Sequence, residues 1–121
     1  MPRVMTELYR PKPSWTALAP AARREFLQNL VAALAPVLES GASAIALGAA
    51  DAKTEADAEA NGYRFFALWR LRDQAASDDM IRISQAAGWY DYFEQVNVSG
   101  DAQDFEAVLL GNARMARPAS S

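Results

Sequence analysis

Tyr63-Arg64-Phe65-Phe66-Ala67-Leu68-Trp69-Arg70-Leu71 is the stretch on which the reading of this chain turns. It is rich in aromatic residues and bounded by Asn61-Gly62 and Arg72-Asp73, the signature of a β-strand. An antiparallel strand with one wet face alternates apolar and polar residues. Here Tyr63, Phe65, Ala67, Trp69 and Leu71 share one face, while Phe66 and Leu68 occupy the other between Arg64 and Arg70. Both faces are apolar at the centre, so both are expected to be covered. Which of the two faces lines a cavity is open from sequence.

On either side of this strand the pattern alternates between periods. Val4 to Arg10 reads as a first strand that Pro11 and Pro13 end, because proline cannot extend a ladder. Ser14 to Ala19 reads as a connection carrying Trp15. Pro20 to Ser40 is a helix with Phe26, Leu27, Leu30, Val31, Leu34 and Leu38 as its apolar stripe. Pro20 suits its first turn and Gly41 its end, and Pro36 predicts a kink or an early stop. Ala44 to Ala50 is a weaker second strand whose Ala44, Ala46 and Gly48 leave space above the sheet. Asp51 to Gly62 is acidic and alanine-rich, a solvated connection or a short helical turn in preference to a metal site.

Beyond the central strand, Asp73 is placed to cap a second helix with stripe Ala76, Met80, Ile83 and Ala87, ended by Gly88. Trp89, Tyr90, Tyr92 and Phe93 form an aromatic corner into a fourth strand, Phe93 to Ser99, which Gly100 is expected to break. Asp101 with Asp104 resembles a capping box for a short C-terminal helix holding Phe105, Val108, Leu109 and Met115. Arg117 to Ser121 should fray.

The order strand, helix, strand, strand, helix, strand, helix predicts an α+β, ferredoxin-like βαββαβ fold. Two helices cover one face of a four-stranded antiparallel sheet, with a short C-terminal helix beyond, in one domain over residues 1–121. The first and fourth strands are expected at the outside, the first and third adjacent. Either parity leaves large apolar side chains on the uncovered face, and such a patch marks an interface or a ligand groove. A second copy, sheet against sheet, is the simplest cover.

Composition narrows the chemistry. With 51% hydrophobic and 22% charged residues the chain has the make-up of a globular domain. The net charge is −3 and no basic cluster exceeds Arg23-Arg24, which argues against nucleic acid. Cysteine and histidine are absent, which removes disulfides, thiolate metal sites and the commonest general base. No long apolar run and no signal-peptide pattern occur, so a cytoplasmic protein without a membrane span is expected. No phosphate loop, nucleophile elbow or metal-spaced cluster is present.

The element order, with Phe66-Ala67-Leu68-Trp69-Arg70 running into Asp73-Gln74-Ala75-Ala76, resembles the dimeric α+β barrel superfamily, which includes the antibiotic-biosynthesis monooxygenase-like proteins. Trp69 matches a tryptophan that those proteins often carry near the end of the third strand. The segment Gly88 to Asn97 is similar to small bacterial proteins of this fold without an established function. The resemblance implies a pocket between sheet and helices in each subunit. Some relatives oxidise aromatic polyketides without metal or flavin; others degrade haem through a histidine that this chain lacks.

Glu7 and Tyr9 share a face of the first strand, Gln95 and Asn97 a face of the fourth. If the faces match, they line one cavity with Phe65, Trp69 and Tyr92. Glu7 is then the only plausible general base, and Asn97 would orient a carbonyl or an oxyanion. Tyr9 or Tyr92 would donate to a substrate oxygen, Phe65, Trp69 and Gln95 would bind the ligand, and no cofactor is called for. The competing readings are structural: Glu7 paired with Arg64 or Arg70, Trp69 in the core or interface, Asn97 serving backbone groups, Trp15 plugging the barrel end. Two functions follow. One is a homodimer that binds a small, largely apolar molecule and acts as a cofactor-independent monooxygenase-like or proton-transfer enzyme. The other is a non-catalytic binding or interaction module of the same fold. The residues do not name the ligand.

Overall fold

A computed structural model describes residues 2–51 and 62–117. The chain is an α+β, ferredoxin-like protein. Its elements are β1 (Arg3–Pro11), α1 (Pro13–Thr16), α2 (Pro20–Ser40), β2 (Ala42–Ala49), β3 (Phe65–Leu71), α3 (Gln74–Ala86), α4 (Trp89–Tyr92), β4 (Phe93–Asp101) and α5 (Phe105–Ala113). The four strands form one antiparallel sheet in the order β2-β3-β1-β4. The expectation that the first strand lies outside is therefore corrected. β1 is interior and hydrogen-bonds on both sides, so that Glu7 stands opposite Ala67 on one neighbour and Asn97 on the other. β2 and β4 are the edges.

Parity on β3 is settled by what lies beneath it. Ala67 and Leu71 are buried, and Leu71 joins Met5, Val37, Ala42, Ala76 and Met80 in the core between the sheet and α2 and α3. The odd-numbered residues of β1 and β3 thus face the helices. The open face carries Leu8 between Phe66 and Val96 in one row, and Thr6 between Leu68 and Val98 in the next. Phe66, Val96 and Val98 are 37%, 42% and 66% exposed in the subunit. The space predicted above Gly48 is taken by Phe66, whose ring a side chain at 48 would meet at 2.7 Å.

Several local expectations change. α2 does not end at Pro36 but runs to Ser40. Ala32 and Pro36 both lie on its exposed side, where water can replace the lost bond. Its inner face is Leu30 and Val37 with Leu34; Leu27 and Val31 of the predicted stripe are exposed. α3 follows its prediction: Asp73 Oδ1 accepts from the Ala76 amide at 2.9 Å, and Gly88 turns the chain with φ 90°. Residues 13–16 form one helical turn instead of a plain connection. β4 continues through Gly100 to Asp101, because pairing of Gly100 with Val4 and Asp101 with Arg3 carries the ladder on. Asp101 is consequently in the strand, and Asp104 alone caps α5, accepting from the Ala107 amide at 2.8 Å. Met115 lies beyond α5. The acidic segment, within residues 52–61, and the terminal residues 118–121 lie outside the described residues. No helix among the described residues is long and apolar enough to cross a membrane.

Candidate functional site

A cavity of about 180 Å³ lies between the sheet and the two long helices. Its apolar walls come from Leu30 and Leu34 of α2, Leu47 of β2, Ala67 and Trp69 of β3 and Met80 of α3. Its polar groups are Glu7, Tyr9, Ser84 and Gln95, with Trp89 beside them. The period of two on β1 puts Glu7 and Tyr9 on the same side as Met5, and the ladder brings Trp69 and Gln95 to flank them.

These side chains form one hydrogen-bonded chain. Trp69 Nε1 donates to Glu7 Oε1 at 2.6 Å, and Gln95 Nε2 donates to Glu7 Oε2 at 2.7 Å. The second hydrogen of Gln95 Nε2 goes to Asn97 Oδ1 at 2.7 Å, and Trp89 Nε1 donates to Gln95 Oε1 at 2.7 Å. An indole N–H can only donate. Trp89 therefore fixes which end of the Gln95 amide is oxygen, and so turns the NH2 toward Glu7. The network is built for an ionised Glu7 that accepts at both oxygens. Arg70 falls on the opposite face of β3, Arg64 precedes that strand, and among the described residues Glu7 is held by Trp69 and Gln95 and is in none of the ion pairs, so the alternative of an ion pair with Glu7 is corrected.

Burial pushes the Glu7 carboxyl above its usual 4.5, against the Trp69 and Gln95 hydrogen bonds, which act to lower it. Burial also raises Tyr9 and Tyr90, with the Glu7 charge adding to both, so both phenols keep their protons at neutral pH. The sign of the consequence for stability is definite. Between 4.5 and the raised native value the folded state holds more protons than the unfolded state, so the Glu7 contribution to stability falls as pH rises through that window. Glu7→Gln removes this slope. The urea midpoint of the wild type should thus drop relative to Glu7→Gln from pH 4.5 toward neutrality; parallel profiles would refute the assignment.

The other predicted residues are distributed as follows. Asn97 meets the cavity only through Gln95. Phe65 stacks on Tyr9 with ring centroids 5.2 Å apart and lines an adjoining cleft with Trp15 and Phe93. Tyr92 does not reach the cavity: it packs edge-on against Phe26 and Trp15, at 4.9 and 5.6 Å. Trp15 also leans on Phe93 at 4.8 Å, which seats it in this aromatic cluster. The sequence reading missed Trp89 as a site residue, together with Leu30, Leu34, Met80 and Ser84. The available signal was Gly88, whose left-handed turn folds Trp89 back onto Tyr9, 5.3 Å away.

Fold and site together define a ferredoxin-like α+β protein with a small, mostly apolar cavity floored by one carboxylate. The chain belongs to the family described as "Family of unknown function (DUF6616)", whose model matches residues 2–115. No curated protein matches the sequence. Among solved structures it is similar to chlorite dismutase from Candidatus Nitrospira defluvii in complex with imidazole, with 15% identity and a TM-score of 0.69 over 93% of this chain and 45% of that one. It is also similar to a putative chlorite dismutase, TA0507, with 16% identity and a TM-score of 0.65 over 86% of this chain and 46% of that one. A third is the methylated RPA0582 protein, with 20% identity and a TM-score of 0.56 over 86% and 82%. The chain thus spans less than half the length of the chlorite dismutases. Likeness at these identities establishes the fold.

Proposed function

We propose that the protein is a homodimer joined through its open sheet face, in which each cavity binds a small, largely apolar ring compound and Glu7 acts as a general base. The observation that carries this reading is the Glu7 carboxylate, held by one N–H donor on each oxygen at the floor of a mostly apolar cavity. Each oxygen retains acceptor capacity for a substrate O–H or activated C–H. A raised pKa brings its basicity nearer to neutral pH, where proton abstraction is most effective. Tyr9, protonated at neutral pH, is the donor to the oxygen on which negative charge develops. Asn97 and Gln95 position Glu7.

The size of the cavity supports a one-ring ligand, since an apolar cavity of roughly 150 Å³ admits benzene. The finer reading, by resemblance to the antibiotic-biosynthesis monooxygenase-like proteins, is a cofactor-independent oxygenase. Abstraction by Glu7 leaves an electron-rich carbanion or phenolate that reacts with O2. A ring CH2 becomes C=O, and the second oxygen atom leaves as water.

The test is a thermal-shift panel of single-ring phenols, hydroquinones and cyclic 1,3-diketones. At least one should raise the melting temperature of the wild type, and Ser84→Phe, which fills the cavity, should abolish the shift. The bound ligand should then exchange its acidic C–H for deuterium with the wild type and not with Glu7→Gln. Binding without exchange would leave a non-catalytic binding module; no shift across the panel would remove the ligand site.

A further inference from the structure

Beside the Glu7 cavity lies a cleft of about 450 Å³ that shares Tyr9 and Trp89 with it and is otherwise walled chiefly by Trp15, Leu27, Phe65 and Phe93. A further hollow along α2 has Trp15, Arg23 and Leu27 in common with this cleft and adds Arg24 and Val31. Leu27 and Val31, which the core leaves exposed, thus line this pair of hollows. Among the described residues no carboxylate lines either hollow, whereas Arg23 lines both. Its Nε donates to Trp15 O at 3.2 Å and its Nη2 to Thr16 O at 2.7 Å, and its charge lies 6.0 Å from the centre of the Trp15 ring. Those bonds pin the guanidinium without neutralising it. A guanidinium carries five N–H donors, so most of them are left over. Arg3, Arg10, Arg72 and Arg82 each pair with a carboxylate; among the described residues Arg23 pairs with none. In a chain of net charge −3, a pinned, unpaired cation on the wall of an aromatic cleft is an exception.

We infer that this cleft is a second ligand site, which binds a planar aromatic carboxylate of two rings with its acid group on Arg23. The rings of Trp15, Phe65 and Phe93 offer flat apolar surface of the kind that planar ligands cover. The fork of a guanidinium matches the two oxygens of a carboxylate. Arg24 in the neighbouring hollow adds charge of the same sign. An apolar cavity of roughly 150 Å³ admits one benzene ring, so the cleft has room for two. Glu7 repels an acid from the inner cavity, and Arg23 attracts it to the cleft, so the two sites sort ligands by charge. The inference depends neither on a reaction at Glu7 nor on the homodimer.

The test is calorimetric titration of the full chain with 2-naphthoate, ionised at neutral pH, and with 2-naphthamide, its neutral analogue of the same shape. The acid should bind at least about tenfold more tightly, because hydrogen bonds between two charged groups are the strong ones. Arg23→Gln should erase that preference and leave the affinity for the amide unchanged. Arg23 also holds the Trp15 and Thr16 carbonyls, so Leu27→Glu serves as a second variant that keeps those bonds. Position 27 is 39% exposed and one helical turn beyond Arg23, where a new carboxylate pairs with the guanidinium and competes with the ligand. It too should weaken the acid at least about tenfold. Ser84→Phe, which fills the inner cavity, should leave the acid unaffected, and the indole N–H resonance of Trp15 should move on binding while that of Trp69 stays. Equal affinity for acid and amide, no binding of either, or an acid bound as tightly in both arginine-site variants would overturn the site. Acid binding lost in Ser84→Phe, with the Trp69 resonance moved, would overturn it as well and assign the acid to the Glu7 cavity.

Discussion

Phe66→Glu should yield a folded monomer under conditions where the wild type is a dimer. Phe66 sits in the row Gly48, Phe66, Leu8 and Val96, on the sheet face turned away from the helices. At 37% exposure its ring already rests on Gly48, so the subunit loses little when it is replaced. In the proposed dimer the same position lies inside an apolar contact, and two-fold symmetry introduces the new carboxylate twice. An uncompensated buried charge costs about 3–5 kcal/mol. Each 1.4 kcal/mol is a factor of ten in affinity, so the dissociation constant should weaken at least a hundredfold. Light scattering across micromolar concentrations reads this directly. A variant that stays dimeric with unchanged affinity would place the interface elsewhere.

Gln95→Leu is expected to cost about 2–3 kcal/mol of stability and to raise the Glu7 pKa further. Gln95 is the junction of the network: it donates to Glu7 Oε2 and Asn97 Oδ1 and accepts from Trp89 Nε1. Leucine of similar bulk leaves all three without that partner. A buried group stripped of its partner costs about 1–3 kcal/mol, and the lower part of the range applies because these groups are only partly buried. The Gln95 hydrogen bond is one of two that act to lower the Glu7 pKa, so its loss leaves burial less opposed. Urea denaturation gives the stability change, and the carbon-13 shift of the Glu7 carboxyl followed against pH gives the ionisation. A Glu7 titration unmoved in this variant would show that Gln95 does not hold the carboxylate.

Much of this was written in local pattern. The alternation on β1 put Glu7 and Tyr9 on one face, Gln95 and Asn97 share a face of β4, and Asp73 announced the start of α3. The periods of the strands and helices gave the ferredoxin-like order, because side-chain direction along a strand or helix is a property of the backbone alone. Boundaries were less legible. Gly100 and Pro36 read as breaks, yet neighbouring hydrogen bonds carried the chain past both, and a tertiary ladder outweighs a single residue's preference.

Non-local contact decided the rest. Sequence could not choose which face of β3 looks inward, since Phe65 and Phe66 are equally apolar; the core beneath Ala67 and Leu71 chose it. Nor could it tell that Glu7 would meet two indole and amide donors instead of an arginine, or that Trp89 would turn back over the cavity while Tyr92 turned away. Those partners lie 62 and 88 residues from Glu7. Short-range rules set where a side chain points, whereas its partner is fixed only when distant strands come into register.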